Sequence, residues 1–196
     1  MSPRSSEISR TTGETDVRVA LTLDGTGRGE RRTGLGFFDH MLDLLARHGH
    51  LDLDVEARGD LETGAHHTVE DTGIVFGQAL DRALGDRAGI ARYADVRVPM
   101  DEALAAVALD VSGRSLAVVG PEVRELHVEG FGGQEAEEFL RAVAGAARLT
   151  LHARVEAGSN HHHMIEALVK AFARALRTAV ALDPTEEGVP STKGVL

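Results

Sequence analysis

Residues 158–176 read GSNHHHMIEALVKAFARAL, and residues 64–80 read GAHHTVEDTGIVFGQAL. Laid over each other without a gap, His66–Leu84 and His162–Val180 match His66 with His162, His67 with His163 and Glu70 with Glu166. Phe76/Phe172, Ala79/Ala175, Leu80/Leu176 and Ala83/Ala179 coincide as well. The apolar matches alone would suit any two amphipathic helices. A shared His-His-x-x-Glu at the start of both is a stronger signal, and it marks the chain as an internal duplication.

The elements around the two motifs repeat in the same order. Val17, Val19, Leu21 and Leu23 alternate as in a half-buried strand, and the glycine-rich DGTGRGERRTG follows as turn chemistry. Phe37, Phe38, Met41, Leu42, Leu44 and Leu45 have helical spacing up to His48, with Gly49 as the stop. Residues 51–57 alternate again as a strand, and a helix is predicted over His66–Leu84. In the second half, strands are predicted near 95–99, 103–111, 114–119 and 123–128. A helix over about 134–147, a strand over 149–156 and a helix over about 161–182 complete the copy. The predicted class is α+β, built of duplicated half-domains with sheets packed against helices. Residues 1–13 read as a polar lead-in, 14–91 as the first repeat and 92–196 as the second with its tail, all within one compact domain.

Composition narrows the function. The chain has no cysteine, which excludes disulfides and thiolate metal sites together, so a metal would need imidazole and carboxylate ligands. A net charge of −10 argues against a nucleic-acid partner, whose phosphates need basic surface. A small anionic substrate needs only a local basic pocket. No apolar run is long enough to span a bilayer and no apolar signal core opens the chain, so no membrane association and a cytoplasmic location are expected.

The motif spacing points to metal chemistry. Residues four apart on a helix stand on one face, so His66 converges with Glu70 and His162 with Glu166. Adjacent residues diverge by about 100°. His67 and His163 are therefore poorly placed to share an ion with their neighbours. Two ions solve this, each helix giving a His/Glu pair to one and a single His to the other. His40, in GFFDHMLD, and His48, two turns further along the same face, are weaker candidates. His152 reads equally well as a buried, satisfied histidine, and His50, His127 and His161 as non-functional. Arg92, Arg114 and Lys193, the last in the Ser-Thr-Lys-Gly tail, are candidates for gripping an anion. A dinuclear hydrolase or a metal-storage assembly would also fit paired imidazole/carboxylate sites. The storage reading leaves the basic residues and the tail without a use.

Longer stretches carry a resemblance. DGTG, GFFDHMLDLLARHG, HHTVEDTG, LDVSGR, TLH, GSNHHHMIEALVKAFARAL and GVPSTKGVL, in this order from about Glu14 to the end, resemble the imidazoleglycerol-phosphate dehydratase family. The resemblance implies a ribosomal-protein-S5-domain-2-like duplication. It also implies dehydration of imidazole glycerol phosphate to imidazole acetol phosphate in histidine biosynthesis, through an imidazolate held by metal and a diazafulvene-like intermediate. Nothing resembling the phosphatase domain fused to some members is present, so a monofunctional form is expected.

It further implies two Mn2+ per subunit, held by His40, His66, His67, Glu70, His162, His163 and Glu166. A further ligand position, a histidine in many members, is Glu138 here. Glu14 is implied as the acid/base, with His48 and Asp101 as further proton-handling candidates. Arg92, Arg114, Thr192, Lys193 and Gly194 are implied to hold substrate, alongside Glu14, His40, His48 and the paired histidines. Members assemble through trimers into closed shells of about 24 subunits with sites completed between subunits, which makes a homo-oligomer the expectation.

Overall fold

The computed structural model describes residues 4–196. The elements run β1 (Ser5–Thr11), β2 (Thr15–Thr22), β3 (Arg31–Arg32), α1 (Gly36–Gly49), β4 (Asp52–Gly59) and α2 (His66–Leu84) in the first half. The second half runs β5 (Tyr93–Met100), β6 (Ala103–Asp110), β7 (Leu116–Val119), α3 (Pro121–Arg124), α4 (Gly133–Ala146), β8 (Thr150–Ala157) and α5 (His161–Val180). Each half forms a four-stranded sheet with the same topology, β1-β2-β4-β3 and β5-β6-β8-β7, its last pair parallel and the rest antiparallel. The duplication read from the two histidine motifs is thus present in the strand order too.

Alternation within the strands explains where the core lies. Val17, Val19 and Leu21 of β2 and Leu53, Val55 and Ala57 of β4 are buried, as are Ala105, Val107 and Leu109 of β6 and Leu151, Ala153 and Val155 of β8. Their partners on the opposite faces are polar or partly exposed, so each sheet has one apolar face for helices to cover. The helix that ends each half lies on that half's own sheet: α2 on β1, β2 and β4, and α5 on β5, β6 and β8. The earlier long helix of each half packs across the duplication. Helix α1 lies against α5, and α4 lies against α2. Phe38, Phe76, Phe139 and Phe172 fill the core between the helices. This cross-packing brings residues from α1 to the start of α5, and residues from α4 to the start of α2.

The α2–α4 contact is close enough to require glycine. A methyl group on Gly77 would stand 2.7 Å from the Ala146 Cβ and 2.9 Å from the Val143 carbonyl oxygen. One turn earlier, a methyl on Gly73 would stand 2.8 Å from the Ala142 Cβ. Gly77→Ala would add about 1 kcal/mol of helix propensity on an open helix face. Here the overpacking dominates, and the expected result is a net loss of about 1–3 kcal/mol, read as a lower urea midpoint.

The structure adds to the sequence reading at one place and corrects it at another. The polar lead-in, whose residues 1–3 lie outside the described residues, holds a strand, Ser5–Thr11, that the sequence did not signal. Its inward face carries Ser6 and Arg10 about a single apolar Ile8, so the apolar alternation is faint. Ser6 Oγ donates to the Ala79 carbonyl at 2.7 Å and Arg10 forms an ion pair with Asp71 at 2.5 Å, so α2 supplies a partner for each of the strand's inward polar residues. The strand expected over 123–128 is instead the short helix α3 and a following turn. Gly120 in extended conformation and Pro121 at the first helical position start that helix.

Candidate metal and substrate site

Asn160 begins α5: its side-chain oxygen accepts the backbone N–H of His162 at 3.0 Å and of His163 at 3.4 Å. The cap fixes the three consecutive histidines in the first turn. His162 Nε2 lies 2.8 Å from Glu166 Oε1, one turn on, as the spacing requires. From α1, His40 Nε2 reaches the same carboxylate oxygen at 3.1 Å. His40, His162 and Glu166 offer ligand atoms all within 4.8 Å of one another, and among the described residues they are the group of three so arranged. The Glu166 side chain is only 7% exposed, whereas the two imidazoles face outward. Burial pushes the Glu166 carboxyl up, but hydrogen bonds from Lys170, His40 and His162 outweigh it and hold its pKa at about 2. A permanently ionised carboxylate with two imidazoles is a donor set for a divalent cation.

The first motif builds a matching half. His66 Nε2 and Glu70 Oε2 are 3.6 Å apart. Because α2 and α4 run side by side, with Gly73 over Ala142 and Gly77 over Ala146, Glu70 and Glu138 stand one turn before that contact on their respective helices. This packing sets the helix that carries Glu138 beside α2, while among the described residues only His40, His162 and Glu166 converge as a group of three. The second histidine of each pair turns elsewhere. The His66 and His67 rings are tilted 77° from each other, and the His162 and His163 rings 89°. His67 Nδ1 faces Asp60 at 3.0 Å and Glu14 at 3.9 Å. His163 Nδ1 faces Glu102 at 2.9 Å, and its Nε2 lies 3.7 Å from Asp101. These carboxylates raise the pKa of both imidazoles, Asp60 chiefly acting on His67 and Glu102 on His163.

Glu14 sits in the β1–β2 hairpin, where Thr12 Oγ1 accepts its backbone N–H at 3.2 Å. The hairpin is anchored beneath by Thr15, whose hydroxyl donates to buried Asp71. Glu14 is therefore held over α2 by its own chain. His48 looks toward α5; burial first, then Lys170 and Arg174, lower its pKa, which favours a neutral imidazole.

The anion-gripping candidates also meet. Arg92, Arg114, Thr192 and Lys193 line one cavity of about 690 Å3, and Gly194 closes the turn beside it with its N–H on the Ser191 carbonyl at 2.9 Å. Gly194 takes φ +72°, a left-handed conformation that glycine adopts without penalty. Arg92 is already committed to the protein, donating to Asp110 at 2.8 Å and to the Pro190 carbonyl at 2.7 Å. It holds the tail in place, while the Arg114 side chain, 69% exposed, and the exposed Lys193 face the cavity. His152, read from sequence as equally suited to the core, is exposed on the outer face of β8. Asp60 and Glu102 carried no sequence signal, because only the folded loops bring them to the histidines.

A duplicated α+β fold with histidine/carboxylate motifs opening α2 and α5 defines the class, a small-molecule enzyme. The family model for imidazoleglycerol-phosphate dehydratase matches residues 33–176. The dehydratases of Azorhizobium caulinodans and Desulfitobacterium hafniense are 55% identical over 98% of both chains and 54% identical over 100% of both chains, respectively. The solved dehydratase of Staphylococcus aureus superposes with a TM-score of 0.82 at 38% identity, covering 91% of this chain and 99% of that one. That of Pyrococcus furiosus gives 0.83 at 35%, covering 96% of this chain and all of the other. The chain belongs to the imidazoleglycerol-phosphate dehydratase family, hydro-lyases of histidine biosynthesis. No helix among the described residues is long and apolar enough to cross a membrane.

Proposed function

We propose that this chain dehydrates imidazole glycerol phosphate to imidazole acetol phosphate as a cytoplasmic, dimetal enzyme, with Mn2+ as the working ion. The observation that carries the metal reading is the His40, His162 and Glu166 group, three convergent donors about a buried carboxylate that stays ionised. His66, Glu70 and Glu138 would hold the second ion, and His67 and His163 would complete the sites. When bound, the ions supply Lewis-acid stabilisation of negative charge on the substrate's imidazole ring.

The rest of the chemistry falls to side chains. The proton to be removed is on a carbon with no neighbouring carbonyl, so the ring must take the electron pair. Glu14, exposed at the hairpin 3.9 Å from His67, would act as the base for that proton. The ring, deprotonated at nitrogen, expels the hydroxyl on the carbon attached to it and gives a diazafulvene-like intermediate. Loss of the next carbon's proton to Glu14 then sends its electron pair into that intermediate, restores the ring and leaves the enol, which tautomerises to the ketone. His48, whose lowered pKa favours the neutral imidazole, and Asp101, 3.7 Å from His163, would handle the remaining proton transfers. Arg114, Thr192, Lys193 and the Gly194 turn would hold the phosphate, with Arg92 fixing the tail.

A homo-oligomer with shared sites, such as a shell of about 24 subunits, fits two features. His67 and His163 lie apart from their own chain's His40, His162 and Glu166 group. The outer face of the second sheet also exposes Tyr93, Leu116 and Val118, apolar surface suited to contact with another copy.

The phosphate grip is tested on the assembled, metal-loaded enzyme. Lys193→Ala and Arg114→Ala each remove a charged donor worth about 1.5–3 kcal/mol, so KM for imidazole glycerol phosphate is expected to rise roughly tenfold to a hundredfold. Manganese content should not change. An unchanged KM in both variants would remove the cavity from the site.

A further inference from the structure

The two halves treat the second histidine of each pair alike. In the first half the loop after β4 brings Asp60 to His67: Nδ1 is 3.0 Å from Oδ2 and 3.2 Å from Oδ1. In the second half the β5–β6 hairpin brings Glu102 to His163, with Oε2 at 2.9 Å from Nδ1. Glu102 is itself fixed, because its Oε1 accepts the backbone N–H of Asn160 at 2.7 Å and of Ser159 at 3.2 Å. Asp60 Oδ2 also accepts the Thr63 hydroxyl at 2.9 Å. An ionised carboxylate only accepts, so the hydrogen in each contact belongs to Nδ1. In the neutral imidazole the lone pair is then on Nε2.

We infer that Asp60 and Glu102 are matched positioning carboxylates, each fixing its histidine in the Nδ1–H tautomer and orienting the ring so that Nε2 is the metal-ligating atom. This rests on the dimetal reading of the site and adds two residues to it that touch neither ion nor substrate. The duplication strengthens the inference. Two carboxylates on different elements, at different offsets from their motifs, meet the same nitrogen of the corresponding histidine. Such outer partners commonly contribute about 10–100-fold to metal affinity.

The test uses isosteric variants, so that packing and backbone hydrogen bonds are kept. In Glu102→Gln the single amide oxygen can keep the two backbone N–H groups, which turns the NH2 toward Nδ1. That group donates, favouring the opposite tautomer with hydrogen on Nε2, which then cannot ligate. An asparagine at position 60 could still turn its amide oxygen to Nδ1–H, so Asp60→Leu, of similar shape, is used to take both acceptors from His67; it disturbs no backbone partner. Mn2+ is titrated into the metal-free, full-length protein, following free Mn2+ by electron paramagnetic resonance, with the thermal midpoint of the metal-free protein measured alongside.

Binding about 10–100-fold weaker in each variant, at an unchanged metal-free midpoint, is the expected result. A loop-fastening role alone would leave Mn2+ binding as in the wild type, and that outcome overturns the inference while sparing the dimetal reading. Should Glu102→Gln lower the midpoint, Asp60→Leu decides on the same criterion. Failure of the wild-type protein to bind Mn2+ would overturn both.

Discussion

Glu166→Ala is expected to remove one of the two metal centres and bring turnover down by roughly a thousandfold or more. Lewis-acid stabilisation of several kcal/mol is lost with the ion, and about 1.4 kcal/mol corresponds to each factor of ten. The size of the effect follows from how much converges on this carboxylate. Oε1 meets both His162 and His40, and Oε2 accepts the Lys170 ammonium at 2.6 Å. The change also leaves Lys170, 19% exposed, beside a void without its partner. A fall in the metal-free thermal midpoint should therefore accompany the loss of activity. Glu166→Gln separates the two effects: it fills the volume and should recover most of the midpoint, but not the metal or the rate. Metal analysis and activity on the same preparations check this.

Glu14→Gln is expected to lower kcat by about 10²–10⁴, the usual contribution of a positioned acid or base, with Mn2+ content intact and KM little changed. Glu14 is held at the hairpin by the Thr12 hydroxyl, and the hairpin by Thr15 on Asp71, so the neutral amide should take up the same place. The loss then reports proton transfer rather than position. An equal loss of metal would instead make Glu14 part of the ion's environment through His67, 3.9 Å away.

The four long helices α1, α2, α4 and α5, strands β2, β4, β6 and β8 and the duplication were legible because their signals are local. Periodicity marks the helix faces, alternation marks β2, β4, β6 and β8, and the His-His-x-x-Glu offset is one helical turn. Helix α2 begins and ends at the residues the pattern predicts. β1 was illegible because its inward Ser6 and Arg10 are polar, and what makes them tolerable is the Ala79 carbonyl and the Asp71 carboxylate of α2. The break at Gly120–Pro121 did carry a local helix signal, but Leu126 and Val128 after it alternate about His127 as in a strand.

Within the site, the convergence of His162 with Glu166 follows from spacing, and the arrival of His40 follows only from α1 crossing onto α5. Asp60 and Glu102 could not be found from pattern at all. Each lies in a loop whose path is set by strand pairing, and its role is defined by one nitrogen atom of a distant ring.

The central claim is that paired histidine/carboxylate centres in this chain carry out the dehydration with metal. Its most direct test is one preparation of Mn2+-loaded protein, assayed for imidazole acetol phosphate formed from imidazole glycerol phosphate while its bound ions are counted. Turnover with two ions per chain, lost on chelation and regained with Mn2+, is the expected result. Full turnover in chelated protein with no bound ion, or two tightly held ions with no turnover, would contradict it.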